Sequence, residues 1–185
     1  LGWLVPRLLR DVQNRGQLAA GMSSYMAGRT RLIKTHKNTG TVEQVFCLNN
    51  ADKSKKLQRK LACTAAIGHV RYSTSGKDDP EYAQPFERQH IEKRKWFSFA
   101  FNGQLANFDD LRQKLLSKPE FHLSRDTDTE IILHALCREM SGGQRPSIKE
   151  LLTTLSKEFD GSYNIAFLNA CGDMFIARDP YGFRP

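Results

Sequence analysis

Residues 68–76 read Gly-His-Val-Arg-Tyr-Ser-Thr-Ser-Gly, and the apolar residues 65–67 stand directly before them. The run 65–72 is short and apolar, so we predict a strand that carries His69 and Arg71 toward its end. Polar groups at strand ends are held by a rigid scaffold, which is where functional side chains concentrate. Each residue also has a plain structural explanation, His69 as a half-buried core histidine and Arg71 as a solvated or surface-paired arginine.

A second strand is predicted over 96–101. Its residues Phe97, Phe99 and Phe101 alternate with smaller residues, so the three rings lie on one face of the strand. Asn102-Gly103 follows it and predicts a tight hairpin turn, because both residue types accept positive φ. The polar segment 73–95 between the two strands is predicted as a long loop. Loops of that length are typical of mobile or functional segments.

Apolar spacing and turn residues predict the remaining elements. Three helices are expected over Lys53–Leu61, Phe108–Ser117 and Asp128–Met140, the last of which ends at Gly142-Gly143. Two more are expected from Pro6 to a stop at Gly16 and from Pro146 to a stop at Asp160-Gly161. Strands are expected in two hairpins, Ala19–Met26 with Arg31–Lys37, and Ser162–Leu168 with Met174–Arg178, the second joined by a turn around Cys171-Gly172-Asp173.

Asp128 opens the fourth of these helices in chain order. Thr127 and Glu130 fit a capping box at its start, and Asp128 would favour the positive end of the helix dipole. After the last strand, residues 178–182 have proline and glycine where a turn needs them.

The order of elements is strands, helices and then strands, with hairpin-length links. Such an order favours an α+β fold with antiparallel sheets over a doubly wound sheet. The length of 185 residues and the 39% hydrophobic and 26% charged composition suit one folded domain over 1–185. No apolar stretch approaches the ~20 residues of a membrane span, and residues 1–9 make a poor signal peptide, so we expect an intracellular, cytoplasmic protein.

Cysteine and charge content narrow the possible functions. The four cysteines, Cys47, Cys63, Cys137 and Cys171, lie far apart without metal-ligand spacing, so reduced, buried thiols and no metal site are expected. The net charge of +8 would suit an anionic partner, and the segments 53–60 and 88–95 supply much of it. Neither segment has interleaved aromatic residues, so a solvated face is favoured over a nucleic-acid site.

Several strings occur together in the order of a known family. Residues 68–76, 101–107, 127–130 and 178–185 resemble the class II glutamine amidotransferases, which are N-terminal-nucleophile hydrolases, and Gln84-Pro85-Phe86 adds a further match. The resemblance covers nearly the whole chain. It implies a four-layer αββα sandwich with two antiparallel sheets, and hydrolysis of L-glutamine that delivers ammonia to an acceptor synthase domain.

The resemblance also implies roles for individual residues. Arg71 would hold the α-carboxylate of glutamine and Asp128 its α-ammonium, while Asn102 and Gly103 would form an oxyanion hole. Arg15, Gly16 and His69 are the other expected substrate-binding residues. No metal or organic cofactor, membrane or nucleic acid is implied, and a homo-oligomer is left open.

The nucleophile in this family is an N-terminal cysteine whose α-amino group is the base, because their pKa values are close. Residue 1 here is leucine. We therefore expect a sequence that is truncated at both ends rather than an inactive homologue. The strings at 68–74, 84–86 and 178–185 resemble amidophosphoribosyltransferases more than glucosamine-6-phosphate synthases or asparagine synthetases. A non-catalytic glutamine-binding regulatory domain remains an alternative.

Overall fold

A computed structural model describes residues 1–72, 79–118, 122–141 and 146–183 of the chain. Parts of three sequence patterns lie outside these residues. They are the end of the string at 73–76, the glycine stop at 142–143, and the last two residues, 184 and 185.

Six helices and seven strands are found in the described residues. The helices are α1 Leu4–Asp11, α2 Val42–Val45, α3 Ala51–Lys60, α4 Phe108–Leu116, α5 Asp128–Glu139 and α6 Ile148–Glu158. The strands are β1 Ala19–Tyr25, β2 Ile33–Thr39, β3 Ala65–Arg71, β4 Phe86–Arg88, β5 Phe97–Leu105, β6 Gly161–Asn169 and β7 Met174–Arg178. They form a three-stranded sheet in the order β2-β1-β3 and a four-stranded sheet in the order β4-β5-β6-β7, both antiparallel.

The chain divides into two compact units. Unit 1 contains residues 1–100 and 166–175, and unit 2 contains residues 101–165 and 176–185. The prediction of one domain over 1–185 stays a prediction.

The three-stranded sheet of unit 1 has β1 at its centre, where Ala19 lies opposite Arg71 of β3. Helix α1 packs against β3 at Gly68. A Cβ at that glycine would lie 3.0 Å from Val5 and 3.1 Å from Leu9, so the small residue allows the helix to approach closely. The apolar core beneath α1 and α2 includes Met22 and Phe46, both buried.

The two sheets face each other within unit 1. The hydroxyls of Ser23 on β1 and Ser98 on β5 lie 2.6 Å apart, and both residues are fully buried. Stacked rings fill the interior beside them, with centroids 5.2 Å apart for Phe97 and Phe167. A buried hydroxyl pair is tolerated because each oxygen has a hydrogen-bonding partner.

Unit 2 contains α4, α5 and α6. Arg138 of α5 donates two hydrogen bonds to Glu158 of α6, and Lys114 of α4 donates a third at 3.2 Å. Burial raises the pKa of Glu158, but these bonds outweigh it and the net pKa is lowered. One carboxylate therefore joins all three helices.

The predicted hairpins and the five predicted helices are confirmed, with ends that differ by a few residues. The predicted turn after Arg178 is also present, because the Gly182 N–H donates to the Asp179 carbonyl at 3.1 Å. Helix α2 was missed. Its four residues are too few to show periodicity, although Thr41 and Gln44 form a capping box.

Three other predictions are wrong. The described part of the 73–95 loop contains β4, which pairs with β5, and 3₁₀ turns at 80–82 and 93–95. The predicted capping box is absent: the Thr127 hydroxyl lies 3.0 Å from the Thr129 hydroxyl and makes no capping bond, and the Glu130 carboxylate accepts the Ser124 N–H at 2.8 Å. All four cysteines are free of disulfides, but only Cys63 is buried, and Cys171 is exposed at the turn between β6 and β7.

Candidate active site

Asn102 and Gly103 lie inside β5, which continues to Leu105, so the predicted hairpin turn is wrong. Gly103 has a φ of 156°. A Cβ there would lie 2.0 Å from the Ser162 carbonyl oxygen on β6. Gly103 is therefore needed because β5 and β6 approach closely at this point. Close backbone approach requires glycine, as a tight turn does.

Asp128 is the first residue of α5, and its carboxylate accepts a hydrogen bond from the Leu105 N–H at the end of β5. Burial raises the pKa of Asp128, and this hydrogen bond offsets part of the rise. Within unit 2, Asp128 is therefore held against the strand that carries Asn102 and Gly103. The Asn102 side chain is exposed to solvent.

Arg71 is the last residue of β3 in unit 1 and is only 8% exposed. Its carbonyl accepts the Leu18 N–H at 3.1 Å. Gly16 lies directly against it, because a Cβ at Gly16 would be 2.5 Å from the Arg71 carbonyl carbon. The Arg71 Cζ atom lies over the Tyr82 ring, 5.5 Å from its centroid.

The other two expected substrate-binding residues are His69, two residues before Arg71 on β3, and Arg15, which precedes Gly16 in the chain. His69 is half-buried on β3, opposite Gly21 of β1, and Arg15 is exposed at the end of the 3₁₀ turn 13–15. Unit 1 thus contains Arg15, Gly16, His69 and Arg71, and unit 2 contains Asn102, Gly103 and Asp128.

Tyr82 was missed by the sequence analysis. A single aromatic residue in a polar segment has no periodicity, and only the neighbouring Gln84-Pro85-Phe86 string gave a signal there.

Other candidate sites are few in the described part of the chain. No group of three or more His, Cys, Asp or Glu side chains could hold a metal ion there. A groove of about 590 Å³ in unit 2 is lined by α4, α5 and α6, and none of the predicted site residues lines it. Among these residues, no helix has the length and apolar character needed to cross a membrane.

The comparison with protein families gives a match over residues 69–185, to the family described as "Glutamine amidotransferase domain". The chain belongs to this family. The matched residues include His69, Arg71, Asn102, Gly103 and Asp128.

Curated relatives are amidophosphoribosyltransferases. The enzyme of Methanothermobacter thermautotrophicus is 34% identical over 178 residues, which are 96% of this chain and 34% of that protein. The human enzyme is 32% identical over 179 residues, 96% of this chain and 33% of that protein. The chain therefore spans about a third of the length of these relatives.

Two solved structures share the fold. One is the glutamine phosphoribosylpyrophosphate (PRPP) amidotransferase from B. subtilis complexed with ADP and GMP, with a TM-score of 0.76. The other is titled as the allosteric regulatory enzyme of purine biosynthesis, with a TM-score of 0.78. Each is 27% identical, and the match covers 97% of this chain and 36% of the solved chain. The predicted α+β fold of the N-terminal-nucleophile hydrolase type is confirmed.

Proposed function

We propose that this chain hydrolyses L-glutamine to L-glutamate and delivers the ammonia to an acceptor synthase domain. The observation that carries the proposal is the family match over 69–185, which includes Arg71, Asn102, Gly103 and Asp128. The contact between Asp128 and the end of β5 supports it, because it holds a carboxylate beside the strand of the oxyanion residues.

The proposed roles follow from the charges of a free amino acid. The guanidinium of Arg71 can bind the α-carboxylate through two parallel N–H donors, a geometry that lysine cannot reproduce. Asp128 is proposed to bind the α-ammonium, and Arg15, Gly16 and His69 to complete the binding of substrate. Gly16 would act through its small size, since it abuts the Arg71 backbone.

Asn102 and Gly103 are proposed to stabilise the tetrahedral intermediate. The side-chain amide of Asn102 and the N–H of Gly103 would donate hydrogen bonds to its negative oxygen, and losing one such donor costs about 2.7–4 kcal/mol. The nucleophile proposed from the family likeness is the thiol of an N-terminal cysteine, with its α-amine as base. Position 1 of the present sequence is leucine.

The proposed acceptor is phosphoribosyl pyrophosphate in purine synthesis. It is supported by the names of the relatives, which are amidophosphoribosyltransferases. We also propose a cytoplasmic protein whose glutaminase half uses no cofactor.

The test is glutamate release by the full-length protein. Arg71→Lys and Asp128→Asn should each lower kcat/KM for glutamine about tenfold or more, because each removes a charged hydrogen bond worth about 1.5–3 kcal/mol. Asn102→Ala should mainly lower kcat.

Two exposed residues provide matched controls for that test. Asp126 is exposed and paired with Arg112, and Arg31 is half exposed and paired with Glu87. Asp126→Asn and Arg31→Lys should leave kinetics near the parental values. Glutamine that protects the parental protein from heat without any glutamate release would contradict catalysis and indicate a regulatory domain.

A further inference from the structure

The Arg71 side chain is held in part by an aromatic ring. Its Cζ atom lies over Tyr82, 5.5 Å from the ring centroid, and the residue is only 8% exposed. A ring attracts a guanidinium through the negative face of its π-system, and the attraction strengthens when the pair is shielded from water. Unlike a carboxylate, the ring orients the cation without neutralising its charge.

The backbone at Tyr82 is itself fixed. Asp79 caps the 3₁₀ turn 80–82, because its carboxylate accepts the Glu81 N–H at 2.8 Å and Pro80 opens the turn. The Tyr82 N–H donates to the Asp79 carbonyl at 3.0 Å. These two hydrogen bonds define the internal geometry of the turn.

The residues after the turn attach it to the sheet that carries Arg71. The Gln84 carbonyl oxygen lies 2.3 Å from where a Cβ of Gly21 on β1 would be, so only a glycine allows this approach. Lys37 of β2 donates to the Ala83 carbonyl and lies 4.4 Å from the Phe86 ring centroid. Residues 83–86 are all buried.

One three-stranded sheet thus fixes both members of the pair. β3 ends at Arg71, and β1 and β2 hold the segment that presents Tyr82. We propose that Tyr82 is a positioning residue that orients the Arg71 guanidinium for the α-carboxylate of glutamine. This inference rests on the proposed function, because it assigns Tyr82 a task only if Arg71 binds that carboxylate.

The decisive comparison is between Tyr82→Leu, which removes the ring, and Tyr82→Phe, which keeps it. In the full-length protein, Tyr82→Leu should raise KM for glutamine about 3- to 30-fold with kcat within about twofold of parental, the range that a cation–π contact supports. Tyr82→Phe should restore a near-parental KM. In Arg71→Ala, which removes the cation, adding Tyr82→Leu should raise KM much less than it does in the parental protein, because the two residues act as a unit.

Tyr25→Leu is the control for loss of a ring from unit 1. Tyr25 is the last residue of β1, opposite Ala65, and its ring would lie 2.8 Å from a Cβ added at Gly172. This variant should lower the unfolding temperature without changing KM.

The outcomes separate the two proposals. If the parental protein releases no glutamate, the proposed function fails and this inference fails with it. If it releases glutamate and Tyr82→Leu leaves KM unchanged, or Tyr82→Phe raises KM as much as Tyr82→Leu, the inference alone is overturned.

Discussion

At the scale of single residues, Gly103 is the position where sequence and structure differ most. Asn102-Gly103 predicted a turn because the pair is typical of hairpins. The structure uses the same glycine for contact with the Ser162 carbonyl, a tertiary constraint that involves a residue 59 positions further along the chain. Local sequence shows that glycine is needed but cannot distinguish the two reasons.

Gly103→Ala should therefore destabilise the protein by two additive effects. Positive φ costs an alanine about 1–2 kcal/mol, and overpacking against β6 costs about 1–3 kcal/mol more. Gly28→Ala is the control, since Gly28 has a φ of 82° and no atom within 4 Å of the added Cβ. Urea unfolding should show a smaller loss for Gly28→Ala, and equal losses would contradict the close contact with β6.

Asp128 combines a proposed substrate contact with a cost to stability. Burial raises its pKa in the folded protein. The folded state then binds the proton more tightly, so the group contributes stability at low pH that is lost as pH rises through the folded pKa.

Asp128→Asn should consequently unfold at the parental temperature or higher at pH 7, because it removes a partly buried charge. At about pH 3, below the ordinary Asp pKa of about 3.9, the advantage should disappear. Thermal unfolding at both pH values measures this. A variant that is less stable than the parental protein at pH 7 would show that the ionised carboxylate stabilises the fold.

At the scale of elements, the two hairpins and the longer helices could be predicted from local pattern. The hairpin of β1 and β2 follows from two runs separated by Ala27-Gly28-Arg29, and α5 follows from its apolar stripe. Contacts that depend on tertiary neighbours could not be predicted. Glu130 meets the Ser124 N–H instead of capping α5, and Tyr82 reaches Arg71 from another segment.

The caps of α5 and α6 provide a matched pair for a stability prediction. Ser147 accepts the Glu150 N–H at 3.3 Å, and Glu150 accepts the Ser147 N–H at 2.7 Å, whereas Thr127 makes no capping bond. Ser147→Ala should reduce the free energy of unfolding by about 1 kcal/mol. Thr127→Ala should reduce it less in the same urea titration, and the reverse order would refute the assigned caps.

At the scale of the whole molecule, the order of elements predicted the α+β fold class, whereas nothing in the local sequence indicated the division into two units. Contacts between residues far apart in sequence define that division, since residues 166–175 belong with 1–100. The roles of Arg71 in unit 1 and Asp128 in unit 2 came from the family likeness, because spacing alone does not assign a ligand to either residue.

The net charge of +8 leads to a prediction about nucleic acid. The basic residues of α3 are exposed and no aromatic side chain lies in that helix. We expect a single-stranded oligonucleotide to bind weakly, with a salt slope equivalent to fewer than about two phosphate contacts. Fluorescence anisotropy in a salt titration measures this, and a slope that corresponds to six or more contacts would indicate a built nucleic-acid site.

Gly21 has an evolutionary consequence. Every amino-acid replacement that a single base change can make in a glycine codon adds a side chain, and any Cβ at position 21 would meet the Gln84 carbonyl at 2.3 Å. Any amino-acid replacement at position 21 is therefore unfavourable while segment 82–86 keeps its path. Lineages that lose this glycine should also show a changed course of that segment.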